Sequence, residues 1–363
     1  MIDFQATEEQ ELIRDAVRQF SENELRSRAR ECDESGKLPG ELLQTAHELG
    51  LVSAGIDERF GGGGESSAVT SAIVAEELAW GDLSIALGVL SPSLQAGVVG
   101  DCGSEEQKQR WLPPLCSSSF VPGSLAVVEP HFGADPFSPR TRARADGDGF
   151  ALEGAKCLVP WLDGGDSVFV VAHRDDDELG VFCVPRDAPG LTATPERNMG
   201  IQALPTVELA LSGVRVGADA ALAEASSESV ARLIQRGRVG LAAMAVGVAR
   251  AAFEVSRDYA KQREAFGAPI ATKQAIAFKL ADMLIEIDGA RLLAWEAAWR
   301  LDRGLDAGRA ATLAQRQAQR VVLEVTDGAV QVLGGHGYIR DYLPELHLRN
   351  ARGFACFEAL TLA

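Results

Sequence analysis

The run Leu280-Ala281-Asp282-Met283-Leu284-Ile285-Glu286-Ile287-Asp288-Gly289-Ala290-Arg291-Leu292-Leu293-Ala294-Trp295-Glu296-Ala297 decides the fold. Leu280, Leu284, Ile287, Ala290, Ala294 and Ala297 recur three or four residues apart, which predicts one long helix with a core-facing stripe. A second amphipathic stretch runs from Asp306 to Leu333, so the last third of the chain, from residue 223, reads as a bundle of long helices. Upstream the period changes. Short β-rich runs bounded by Gly, Asp and Pro occupy 123–128, 149–157, 167–173, 180–185, 191–195 and 206–215, which predicts a compact barrel or sandwich over residues 122–222. The first 121 residues are helical by spacing. Thr7 and Gln10 form a capping box ahead of Leu12, Ile13, Ala16, Val17 and Phe20, Pro39 opens a helix, and 67–82 and 104–115 read as two more. Phe60 and the four glycines 61–64 lack the flanking strand, helix and acidic residue of a dinucleotide fingerprint and read as a flexible loop. The expected fold class is therefore α+β multidomain: a helical N-terminal domain, a central β-barrel or sandwich, and a C-terminal four-helix bundle.

Composition sets the limits. The chain has 363 residues, 46% hydrophobic and 24% charged, which is ordinary globular usage and long enough for two or three domains. Its 35 basic and 52 acidic residues leave a net charge of −17, which opposes binding to nucleic acid or to an anionic membrane surface. The stretch Gly240–Phe253 is too short for a membrane span and carries Arg250. Residues 1–10 lack the pattern of a targeting peptide, so a cytoplasmic location is expected. The six cysteines form no Cys-x-x-Cys pair and the five histidines no ligand spacing, so no metal is expected.

Two strings offer a nucleotide site on physical grounds. Arg263 is followed by Phe266 and Gly267 where a long helix breaks, giving a planar cation for a diphosphate and an aromatic for an apolar ring; an ordinary helix end with a solvated arginine accounts for the same residues. Gln331-Val332-Leu333-Gly334-Gly335-His336-Gly337 sets three glycines within seven residues, which allows close approach to a ligand or simply a tight turn between helices.

Taken jointly and in order, several strings resemble the acyl-CoA dehydrogenase family. They are Gly103-Ser104-Glu105-Glu106-Gln107-Lys108 through Leu112-Pro113-Pro114-Leu115, Val128-Glu129-Pro130 with Gly133-Ala134-Asp135, Arg263-Glu264-Ala265-Phe266-Gly267 with Gln274 and Leu280-Ala281-Asp282-Met283, and Gln331 through Tyr338. The tail Arg349-Asn350-Ala351-Arg352 and then Phe357-Glu358 follows the same pattern. The resemblance implies FAD as cofactor, an acyl-CoA or acyl-carrier thioester as substrate and an electron-transfer flavoprotein as partner. It implies a homo-oligomer, or an α2β2 assembly with a related subunit, in which Arg263, Phe266, Gln274, Gln331, Gly334 and Gly335 hold the ADP half of the flavin mainly for the neighbouring subunit. Glu358 falls where the family carries the base that removes the α-proton, while Ala134 and Arg238 fall on the substrate side. The alternative position for that base, on an earlier helix, is Gly237, which cannot serve.

The departures cluster at the flavin ring. Val128 stands where the family has a threonine, and Leu158-Val159-Pro160 where it has an aromatic followed by a hydroxyl residue. Pro160 also lacks an N–H, and each lost hydrogen bond to a buried polar ring costs on the order of 1 to 3 kcal/mol. Trp161 could supply the missing aromatic or pack in the core. Ala134 replaces a serine, and Glu358-Ala359-Leu360 replaces Glu-Gly-Thr. Two alternatives stay open: an FAD-sharing, catalytically degenerate subunit, and a different flavin chemistry such as an oxidase acting on a nitrogen compound or a carrier-bound thioester.

Overall fold

The computed structural model describes residues 4–64 and 66–363. Helix α1 (Glu8–Phe20) starts at the expected capping box: the Thr7 hydroxyl accepts the Gln10 N–H at 3.2 Å and the Gln10 side chain accepts the Thr7 N–H at 3.0 Å. A π-helical turn leads into α2 (Ser27–Ser35), and Pro39 caps α3 (Gly40–Glu48). The glycine run 61–64 is a folded loop rather than a free one. Gly63 and Gly64 donate to the Ser53 and Ile56 carbonyls at 3.0 and 2.8 Å, and a Cβ on Gly62 would stand 2.0 Å from the Ile56 oxygen. Close backbone approach, not flexibility, is the reason for glycine there.

Helices α4 (Ala68–Gly81), α5 (Leu83–Val89), α6 (Ser91–Cys102) and α7 (Glu105–Trp111) complete the first third, with a second capping box at Ser104 and Gln107. The sheet follows as β1 (Leu125–Ala126), β2 (Arg142–Asp146), β3 (Gly149–Pro160), β4 (Ser167–His173), β5 (Leu179–Pro185), β6 (Leu191–Pro195) and β7 (Thr206–Gly217). It is one seven-stranded sheet in the order β1-β4-β2-β3-β7-β6, with β5 also paired to β4. All six expected runs contain a strand. The seventh, β2, reads Arg-Ala-Arg-Ala-Asp and buries only Ala143; alanine alternates with charge, but no β-branched or aromatic residue marks it as a strand.

The last third holds α8 (Ser227–Gln262), the two-residue strands β8 (Glu264–Ala265) and β9 (Ala268–Pro269), α9 (Gln274–Asp302), α10 (Gly308–Leu333), the single turn α11 (Gly335–Tyr338) and α12 (Pro344–Gly353). Helix α8 extends far beyond the apolar stretch 240–253 and is long and apolar enough to cross a membrane. Of its most apolar window, 83% is buried inside the protein, so that composition serves a core. On α9, Met283, Ile287, Ala290, Ala294 and Ala297 face inward as the spacing requires, but Leu284 is 44% exposed. The helix is apolar on two sides: Phe278, Ile285 and Leu292, seven residues apart, face outward.

One core joins the first and last thirds. Helix α4 is buried nearly all round because α8 and α9 cover it. Its two buried carboxylates are paired across that contact: Glu76 with Arg250 at 3.0 Å and Arg291 at 3.1 Å, and Glu77 with Arg250 and with Arg18 at 3.3 Å.

Candidate active site

Where the sheet meets the bundle, a cavity of about 560 Å³ opens. Its walls come from the loop after β1, from the Cys157-Leu158 corner of β3, from Gln319 of α10, and from the tail after α12, which brings Glu358. The tail is held in place from α10: Gln319 donates to the Phe354 carbonyl at 2.6 Å and Gln315 to the Phe357 carbonyl at 3.3 Å. The chain then turns at Ala359 with φ +50° and runs along α8. A Cβ at Gly237 would lie 2.9 Å from the Ala359 Cα, so this glycine is the space through which the tail passes. A longer residue at 237 and the observed path of the tail exclude each other.

The Glu358 side chain is 17% exposed and forms an ion pair with Arg238. Arg238 donates from Nη2 to Oε1 at 2.9 Å and from Nε to both oxygens at 3.2 and 3.3 Å. Its Nη1 is anchored on the Thr312 hydroxyl at 2.9 Å, and its guanidinium stands 5.1 Å from the Phe137 ring centre. Arg238 therefore meets the carboxylate of Glu358 and is not among the residues lining the cavity.

Val128, Ala134 and Leu158 line the same cavity, whereas Pro160 does not. At Leu158 strand β3 bulges, with φ +54°, and its N–H donates to the Glu196 carboxylate at 3.1 Å. Beyond the bulge β3 rejoins β7, and Pro160 is buried with its carbonyl accepting from the Ser124 hydroxyl at 2.6 Å. Trp161 packs against the sheet core with the Arg186 guanidinium 4.0 Å from its ring, so it takes the core role, not the cavity one.

The remaining six expected residues lie elsewhere, on the exposed end of the bundle. Helix α8 stops at Gln262, and β8 and β9 form a hairpin whose two turn residues, Phe266 and Gly267, have φ of +56° and +79°. A two-residue turn of this kind favours glycine, and it leaves Phe266 98% exposed. Arg263 is exposed at the start of this hairpin and Gln274 opens α9. Gly334, at φ +57°, ends α10 just after Gln331, and the segment is tied to α8 by the Tyr259 hydroxyl, 3.1 Å from the His336 Nδ1. Gln331, Gly334 and Gly335 are exposed as well.

One cluster was not anticipated. Glu129, buried beside the cavity, accepts from the Arg140 and Thr141 N–H groups at 2.7 and 2.8 Å and from the Thr141 hydroxyl at 2.6 Å. His131 Nε2 stands 3.0 Å and the fully buried Lys156 ammonium 3.2 Å from the same carboxylate. Burial would raise the Glu129 pKa, but the Lys156 charge and the Thr141 and Arg140 donors outweigh it and hold it at about 2. Complete burial pulls Lys156 down while Glu129 pushes it back up. The sequence signal for this cluster is weak: Glu129 stands in the string Val128-Glu129-Pro130, but Lys156 reads only as one residue of a strand.

Helices, sheet and helix bundle around a carboxylate-bearing cavity define an α+β architecture, and comparison with known proteins identifies its family. Residues 7–119 match the acyl-CoA dehydrogenase N-terminal domain, 124–214 the middle domain and 228–358 the C-terminal domain. The chain is 35% identical over 360 residues to a probable acyl-CoA dehydrogenase, YngJ, of Bacillus subtilis, covering 97% of this chain and 94% of that protein. It is 35% identical to the mitochondrial short-chain specific acyl-CoA dehydrogenase of Bos taurus, covering 95% and 85%. Among solved structures it superposes on butyryl-CoA dehydrogenase from Megasphaera elsdenii with a TM-score of 0.89 at 31% identity, covering 98% and 96% of the two chains. A glutaryl-CoA dehydrogenase from Mycobacterium smegmatis in complex with FADH2 gives 0.89 at 30%, covering 97% and 91%. The chain belongs to the acyl-CoA dehydrogenase family of oxidoreductases.

Proposed function

We propose that this chain is an FAD-dependent dehydrogenase that introduces an α,β double bond into an acyl-CoA thioester, with Glu358 as the base and an electron-transfer flavoprotein as onward partner. The observation that carries the reading is the Glu358 carboxylate at the cavity wall, oriented by Arg238 and facing a space bounded by Val128, Ala134 and Leu158. Such a base must be fixed before the substrate arrives, because proton abstraction from carbon depends on alignment. Oε1 receives two contacts from Arg238 and Oε2 only the longer one at 3.3 Å, so Oε2 is the oxygen left to take the α-proton.

FAD, when bound, supplies the acceptor for the hydride that leaves the β-carbon. The chain fits that group in two unequal halves. On the ADP side Arg263, Phe266, Gln274 and Gln331 are exposed on one end of the bundle, where they can serve a cofactor seated in a second copy. On the ring side Val128 and Leu158 offer an apolar wall, and the Leu158 N–H is engaged by Glu196. Affinity for the flavin therefore rests mainly on the ADP half. The same asymmetry supports a second reading, in which the chain lends its ADP-side residues to a related subunit.

Purification tests both. Yellow protein that bleaches anaerobically with an acyl-CoA, and a Glu358→Gln variant that keeps flavin but does not bleach, is the expected result. Retained turnover in that variant removes Glu358 from its role. Colourless protein that gains flavin only when co-produced with a relative favours the shared subunit.

A further inference from the structure

The loop from Pro130 to Arg140 supplies seven consecutive cavity residues, Pro130 to Pro136, yet has no strand or helix to hold it. Inside it Asp135 accepts the Phe137 N–H at 3.0 Å and Arg238 stands on the Phe137 ring, but its two ends are tied by one carboxylate. Glu129 stands at the entry of the loop and accepts the N–H groups of Arg140 and Thr141 at its exit, so a single side chain closes the loop at its base. It also bonds the Thr141 hydroxyl and fixes His131, whose ring lies on the cavity wall. Lys156, with no exposed surface, balances the charge from β3 below and donates a second contact to the Val127 carbonyl at 3.0 Å. A buried ion pair with this many satisfied donors is costly to remove in part, since either partner alone leaves an uncompensated charge.

We infer that Glu129, supported by Lys156, is a positioning residue for acyl-thioester binding: it closes the 130–140 loop and thereby sets the cavity wall that faces Glu358. The inference rests on the dehydrogenase reading for its substrate but not for its loop. Glu129 touches no reacting atom, so its loss acts on binding more than on the proton-transfer step.

Arg140 is exposed and followed by Thr141, which gives trypsin a site at the base of the loop. In Glu129→Gln, tryptic cleavage after Arg140, followed by mass spectrometry on the intact full-length protein, should accelerate about tenfold or more as the loop opens locally. KM for an acyl-CoA should rise about tenfold while kcat stays within about threefold. Thr141→Val keeps the side-chain volume and removes one of the five contacts, so it should fold as the parent does and move both readouts in the same direction by a smaller factor. Unchanged cleavage after Arg140 together with an unchanged KM overturns the inference. Should the parent protein oxidise no acyl-CoA, the functional reading fails by itself, and the cleavage rates still decide whether Glu129 closes the loop.

Discussion

Glu129 carries a consequence for acid stability. Its folded pKa, about 2, lies below the ordinary 4.5, so it contributes stability that is fully present above 4.5 and is lost as pH falls toward 2. Asp82 runs the other way, since complete burial pushes it up to about 6. A difference measurement separates the two: the gap in urea midpoint between the parent and Glu129→Gln should be widest near pH 6 and shrink steadily toward about pH 3. A gap independent of pH would mean that the carboxylate is not the charged partner. At this scale the sequence was legible in part. The place of Glu358 at the cavity could be reached by counting along the tail from Arg349-Asn350-Ala351-Arg352, because the string and Glu358 lie within ten residues of one another. The Arg238–Glu358 pair, 120 positions apart, and the burial of Lys156 depend on which strand and helix faces meet, and local spacing does not encode that.

Among the elements, strands and helices with a strict period were readable, and those with two apolar faces or none were not. Strand β2 is charged on most positions, and α9 is apolar toward both the core and the outside, so spacing alone put Leu284 on the wrong side. The hairpin at 264–269 hid behind a helix end because its turn, Phe-Gly, lacks the commoner Asn-Gly signal. Helix α4 reads as an apolar helix interrupted by two acids, and the structure gives their reason: Glu76 and Glu77 join it to α8, α9 and α1 through Arg250, Arg291 and Arg18. Arg250→Met should therefore destabilise the protein by about 3 to 5 kcal/mol, because it removes the cation shared by two adjacent buried carboxylates and leaves each with one partner. Thermal melting checks this. A loss within about 0.5 kcal/mol, the range of an ordinary surface change, would show that Arg291 and Arg18 suffice without it.

At the scale of the whole molecule, several large apolar groups are exposed on the bundle. Phe278, Ile285 and Leu292 on α9, Phe266 on the hairpin and Tyr338 after α10 are large apolar groups facing outward, beside the exposed Arg263. The proposed function expects a second copy to cover those groups and to bring its ADP-side residues to a neighbouring cavity. Complementation tests this arrangement. Arg263→Ala and Glu358→Gln chains should each be inactive as pure assemblies, the first for want of cofactor affinity and the second for want of a base. In a mixed dimer, one cavity combines an intact Glu358 with a neighbour's intact Arg263, and the other combines both defects. Refolding or co-producing the two chains in equal amounts should then recover about one quarter of the parental sites, since half of randomly formed dimers are mixed and one of two sites in each works. Titration of bleachable flavin per chain measures that fraction directly. Were each cavity served by its own Arg263, mixing would recover nothing, because every chain would carry one defect into its own site.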